Sequence, residues 1–212
     1  MIKIFFDIER YKKDREKPFL SEKIIAIGYV VIKNFKHLLA KVDEYPRISL
    51  LTEWKEGNEK AVISKFYNLI RRYSQSTRVE LIGFGILKFD IPILIQRIVE
   101  LGLASLPEAN KSIFSECIIF DLHPISVLLN QLKYKGSGLD KLVGRLPFED
   151  KKMPKVLSYE NGGIVHDLYE RQDYNKIEEH LKEDVKKTIW LYKILQDKVV
   201  PLLAQNIKMN EY

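Results

Sequence analysis

The sequence predicts an α/β fold, a mixed sheet flanked by helices, on two observations. Three strand-like stretches come first, "IKIFFDI", "EKIIAIGYVVIK" and "HLLAKVD", and helical stretches then alternate with short strands. That order builds a sheet with helices packed on its faces. The later strands, in "VELIGFG" and "SECIIFDL", are short and nearly all apolar, the pattern of strands buried in the middle of a sheet. No internal repeat, low-complexity tract or Pro/Gly linker divides the 212 residues, so one domain over residues 1–212 is expected.

The elements follow in order. A charged stretch, "ERYKKDREKPFLSEK", separates the first two strands and reads as a loop, since it ends near Pro18 and lacks any apolar period. "NEKAVISKFYNLIRRY" carries Val62, Ile63, Phe66, Leu69 and Ile70 as a helical stripe, with Asn58 as its N-cap. "DIPILIQRIVELG" reads as a helix that tolerates Pro92 in its first turn and stops at Gly102. "SECIIFDLHPISVLLNQL" is a strand and a helix, and "GSGLDKLVGRL" a short helix behind a glycine turn. Lys151 to Gln172 is polar and mixed, and reads as a long loop with some extended structure. A long helix then carries a stripe at Ile177, Leu181, Val185, Ile189, Tyr192 and Leu195.

Composition narrows the function. Hydrophobic residues make up 46% and charged residues 30%, the balance of a globular protein rather than a disordered one. A net charge of +6 permits a polyanionic partner without requiring one. The single cysteine, Cys117, excludes an internal disulfide and reads as a small core residue. No stretch is long and apolar enough to span a bilayer, so a soluble, cytoplasmic protein without a membrane partner is expected.

Acids stand where acids are unexpected. Alternation along the first strand points Ile4, Phe6 and Ile8 to one face and Asp7 and Glu9 together to the other. Two carboxylates aimed at one spot need open solvent or a cation. Asp90 follows a buried strand at the mouth of a helix, where helix capping is the plainer explanation. His180 and Asp184 share a helix face through i,i+4 spacing, beside the apolar stripe rather than opposite it; taken alone, a solvated face explains them. His123 and His166 read as structural.

In order and spacing, "FFDIE", "GFGILKFDIPILIQR" and "HLKEDVKKT" resemble the three motifs of the DEDD superfamily of 3′-5′ exonucleases. The group most resembled is the proofreading domain of family B DNA polymerases and its free-standing relatives. Asp7, Glu9, Asp90 and Asp184 take the places of the four acids. "IIFDLHP" and "GLDKLVGRL" resemble the pieces between the second and third motifs, so the likeness covers nearly the whole chain. Two positions depart from the pattern. Gly85 stands where the second motif usually has Asn, and His180 stands in the slot of the third motif's Tyr.

The resemblance implies a ribonuclease-H-like fold, with three antiparallel N-terminal strands joined to parallel ones. It implies hydrolysis of single-stranded DNA from its 3′ end, in repair or replication, with a helicase or other repair protein as a protein partner. Two divalent cations, Mg²⁺ or Mn²⁺, roughly 3.5–4 Å apart, serve such chemistry, and hard cations call for carboxylate ligands. Asp7 would bridge them, Glu9 and Asp184 would complete one site, and Asp90 would hold the second. His180 would deprotonate the attacking water, which imidazole as a group does near neutrality and a phenol, with a pKa near ~10, does poorly. Ile8 through its backbone and Phe89 through its ring would meet the terminal nucleotide, with Arg10 and Lys88 on phosphates. A 3′-5′ exoribonuclease is one alternative. An inactive exonuclease fold kept as a nucleic-acid-binding module is the other; Gly85 and His180 favour it and four intact acids oppose it.

Overall fold

A computed structural model describes residues 1–13, 21–33, 46–129, 133–135, 138–143 and 164–195. Strands β1 (Ile2–Tyr11), β2 (Lys23–Ile32), β3 (Ser49–Thr52), β4 (Val79–Gly83) and β5 (Cys117–Asp121) form one sheet in the order β3-β2-β1-β4-β5. The β1–β2 and β2–β3 pairs are antiparallel, whereas β1–β4 and β4–β5 are parallel. The mixed α/β sheet expected of a ribonuclease-H-like fold is therefore present.

Helices cover both faces. They are α1 (Glu53–Glu56), α2 (Glu59–Ser74), α3 (Asp90–Glu100), α4 (Leu106–Asn110), α5 (Leu122–Leu129), α6 (Leu139–Val143), α7 (Ile164–Glu170) and α8 (Tyr174–Ile194). Asn58 caps α2 as expected, its side chain accepting the Ala61 N–H. Gly102 ends α3 at φ +65°, a left-handed backbone that glycine adopts without strain. Among the described residues no helix is long and apolar enough to cross a membrane.

Alternation along β1 divides the core. Ile4, Phe6 and Ile8 pack with Ile63, Phe66 and Leu94 of α2 and α3, while Phe5 joins Val30, Ile82, Val185, Ile189 and Tyr192 on the α8 side. Each such buried side chain contributes about 1.5–3 kcal/mol. A one-residue slip of β1 would therefore move Phe6 and Asp7 to the wrong faces at a large cost.

The strand expected at 37–43 lies outside the described residues; the third described strand, β3, is Ser49–Thr52, too short to carry a periodic signal. Two expectations need correcting. Glu9, Arg10 and Tyr11 do not open a loop. They continue β1 against Ala26, Ile24 and Lys23 across a bulge between Glu9 and Arg10. The stretch Lys151 to Gln172 is not all loop, because α7 occupies its described end, with Val165 and Leu168 buried one turn apart.

Gly28 sets how near α8 lies to the sheet. It pairs with Asp7 across the β1–β2 ladder, and a Cβ built there would stand 2.8 Å from Leu181 Cγ and 3.2 Å from Val185 Cγ2. Only a residue without a side chain lets α8 settle at this depth. Gly28→Ala should push the helix outward and destabilise the protein by about 1–3 kcal/mol, read as a lower midpoint in urea unfolding.

Candidate active site

The C-terminal half of β1 projects Asp7 and Glu9 toward α8, both half-buried. The i,i+4 spacing on α8 brings His180 and Asp184 to the same place. His180 Nε2 lies 3.7 Å from Glu9 Oε1 and 3.7 Å from Asp184 Oδ2. One ligating atom from each of Glu9, His180 and Asp184 falls within 4.8 Å of the others, a group able to hold a metal ion.

Asp90 arrives from the opposite side. It is the first residue of α3 and only 5% exposed. Its place in the first helical turn suits an acid, but it does more than favour the helix start: Phe89 is the N-cap, and Asp90 Oδ1 accepts the N–H of Ile8 on β1 at 3.1 Å. The second acidic motif is thus fastened to the first through the backbone between Asp7 and Glu9.

Crowding of these acids shows in their proton affinities. Burial, then repulsion from Asp90, Glu9 and Asp184, pushes the Asp7 carboxyl well above the usual range. Burial and then Asp184 and Asp90 push Glu9 up to about 8. Asp90 rises to about 7, again mainly by burial, with Arg10 and the Ile8 N–H pulling it down. Buried carboxylates that resist ionisation together fit a cation as the missing partner.

Residues 2–125 match the family model described as DNA polymerase family B, exonuclease domain. The chain belongs to this family. A search of curated proteins finds no match. Among solved structures, the chain is similar to the family B DNA polymerase of the archaeon Pyrobaculum calidifontis, with 15% identity and a TM-score of 0.59 over 92% of this chain and 24% of the polymerase. It is also similar to E. coli exonuclease I in its zinc-bound complex with single-stranded DNA, with 11% identity and a TM-score of 0.59 over 98% of this chain and 43% of exonuclease I. A third similar structure is E. coli exonuclease I with a dT13 oligonucleotide, at 10% identity and a TM-score of 0.57 over 96% of this chain and 43% of that one. The chain therefore spans about a quarter of the polymerase and less than half of exonuclease I, and at these identities the likeness is one of fold.

The family B exonuclease match ends before α8, so it is the docking of α8 over Gly28 that brings His180 and Asp184 to the first two motifs. The two departures from the family pattern find places in the structure. Gly85 has φ +74°, a backbone that Gly and Asn adopt more readily than other residues. His180 lies between two carboxylates of the acidic cluster.

Three of the four residues expected to meet nucleic acid form a rim beside Asp90. The Arg10 guanidinium lies 5.4 Å and the Lys88 ammonium 5.0 Å from the centre of the Phe89 ring, which is 38% exposed. Arg10 also pairs with Glu22 at 2.9 Å. Ile8 is placed differently: its side chain is buried in the α2–α3 core and its N–H is taken by Asp90.

Sequence reasoning missed two residues of the candidate site. Asp121, ending β5, accepts the Gly85 N–H at 2.7 Å, the Leu87 N–H at 2.9 Å and the His123 N–H at 2.9 Å, and so folds the loop that delivers Phe89 and Asp90. An acid closing an apolar strand, as in "FFDIE", was the available signal. Lys187, on α8, is buried against Asp184. Cys117 is a core residue, its thiol pushed up to about 12 by burial. His123 meets Phe84 edge-on, and His166 stacks on Tyr11, both as packing contacts.

Proposed function

We propose that the protein is a metal-dependent 3′-5′ exonuclease acting on single-stranded DNA, serving repair or replication. The observation that carries this reading is the convergence of Glu9, His180 and Asp184 within 4.8 Å, beside Asp7 and the β1-bonded Asp90. The similar exonuclease I structures, described as complexes with single-stranded oligonucleotides, favour DNA as the substrate.

Glu9 and Asp184 around one point, with Asp7 and Asp90 beside them, offer oxygen ligands that suit a hard divalent cation, with Mg²⁺ or Mn²⁺ as the first choice. Two such ions, when bound among Asp7, Glu9, Asp184 and Asp90, supply positive charge for the attacking and leaving oxygens. The chain's own groups do the remainder. Phe89 stacks on the terminal base, which any base permits. Arg10 and Lys88 place positive charge where the phosphates run. His180 takes the proton from the attacking water, and Glu9 and Asp184 on either side stabilise the imidazolium. Attack at phosphorus breaks the bond to the penultimate 3′ oxygen, releasing a 5′-mononucleotide.

The test is degradation of 5′-labelled single-stranded DNA and RNA with Mg²⁺, Mn²⁺ or EDTA. A metal-dependent ladder shortened from the 3′ end, faster on DNA than RNA, is the expected result. Faster RNA shortening would reassign the substrate, and binding without cleavage of either strand would leave a nucleic-acid-binding module. Phe89→Ala should raise KM for DNA by about tenfold or more with a smaller change in kcat, since stacking contributes about 1–3 kcal/mol per base.

A further inference from the structure

Lys187 is 0% exposed, although lysine is among the residues least often buried. Burying an ammonium is costly even when it is paired, and an apolar side chain of similar volume would hold a core together as well. Its surroundings give it a different task. Nζ lies 2.9 Å from Asp184 Oδ1 and 2.5 Å from Asp140 Oδ1. Asp184 Oδ2 faces the other way, 3.7 Å from His180 Nε2. The two oxygens of this carboxylate are thus divided between a protein cation and the acidic cluster.

We infer that Lys187, braced by Asp140, is a positioning residue that fixes the Asp184 carboxylate so that Oδ2 alone serves the metal. The inference rests on the metal-site reading above. The terminal torsion of an aspartate is broad, so an unrestrained carboxylate samples orientations offering either oxygen or both. A charge-assisted hydrogen bond to Oδ1 removes that freedom and settles the choice. Lys187 stands three residues beyond Asp184 on α8, and helical side chains lean toward the N-terminus, so the ammonium reaches back onto the carboxylate. Asp140 belongs to α6, whose Leu142 and Val143 are buried, which anchors the brace. The short helix of "GLDKL" thereby acquires a part in the site although it holds no metal itself.

The test measures Mn²⁺ binding to the full chain by electron paramagnetic resonance, with circular dichroism melts alongside. Lys187→Met should weaken Mn²⁺ binding about 10- to 100-fold, the usual effect of losing an outer partner of a ligand. Asp140→Asn, which keeps the Lys187–Asp184 bond, should weaken it by less. Excess Mn²⁺ should restore much of the Lys187→Met nuclease rate, and melts at the same Mn²⁺ concentrations separate this from repair of a merely loosened fold. A folded Lys187→Met that binds Mn²⁺ as wild type does would overturn the inference. If that variant does not fold, wild-type affinity in Asp140→Asn would overturn it instead. Asp7→Ala separates the two claims: wild type binding Mn²⁺ no better than Asp7→Ala would remove the metal site itself, and the brace with it.

Discussion

Asp7→Ala should lower the rate of 3′-end hydrolysis by about 10³-fold or more while leaving the protein folded. Asp7 sits where the fields of Glu9, Asp90 and Asp184 all converge, and it is the acid proposed to contact both cations. A polarising cation contributes several kcal/mol to the transition state, and about 4 kcal/mol corresponds to three orders of magnitude. Among the described residues β1 is held by its ladders and by Ile4, Phe6 and Ile8 rather than by this carboxylate. Single-turnover assays at saturating DNA read the effect. A fall of tenfold or less would show that Asp7 is not a principal ligand.

The second large effect is on stability. In the metal-free protein Glu9 titrates near 8 and Asp90 near 7, with Asp7 also raised, mainly because all are buried. In the unfolded chain such carboxyls titrate near ~4. Between these values the native state holds protons that the unfolded state has already released, so stability falls as pH rises through this window. The metal-free protein should lose several kcal/mol between pH 5 and pH 9, a drop in Tm of roughly 10 °C for a chain of this size. Mn²⁺ should flatten the profile, because it binds the ionised acids of the native state. At pH 8 metal-free Asp7→Ala should melt above wild type, since it removes a buried carboxyl whose ionisation the fold opposes. Scanning calorimetry in EDTA checks both, and a wild-type Tm that rises from pH 5 to 9 would contradict the repulsive cluster.

How much of this could be read from residues alone differed by element. The pair in "FFDIE" announced itself, because strict alternation put two acids on one face where Phe5 points to a core. Asp90 and Asp184 were weaker signals, each with a plain alternative, and became legible through order and spacing. The sequence places the Ile8 backbone at the terminal nucleotide, and nothing local shows that Asp90, 82 residues away, accepts its N–H. Lys187 in "DVKKT" looks like a solvated lysine until α6 supplies Asp140 from 47 residues earlier. Such roles arise from tertiary partners, which periodicity does not encode. β3 and α7 were lost for another reason: four and seven residues give too few turns of any pattern to count.

The reliance on α8 has a consequence for synthesis of the chain. β1 leaves the ribosome before α8: Asp184 is added some 175 residues after Glu9, roughly 10–35 s later at ordinary elongation rates. Until then Phe5, Val30 and Ile82 have no α8 to cover them, and the acids lack their fourth member. A nascent chain that lacks α8 is thus adhesive on that face. The proposed nuclease site is completed in the same event that hides the apolar sheet face from chaperones.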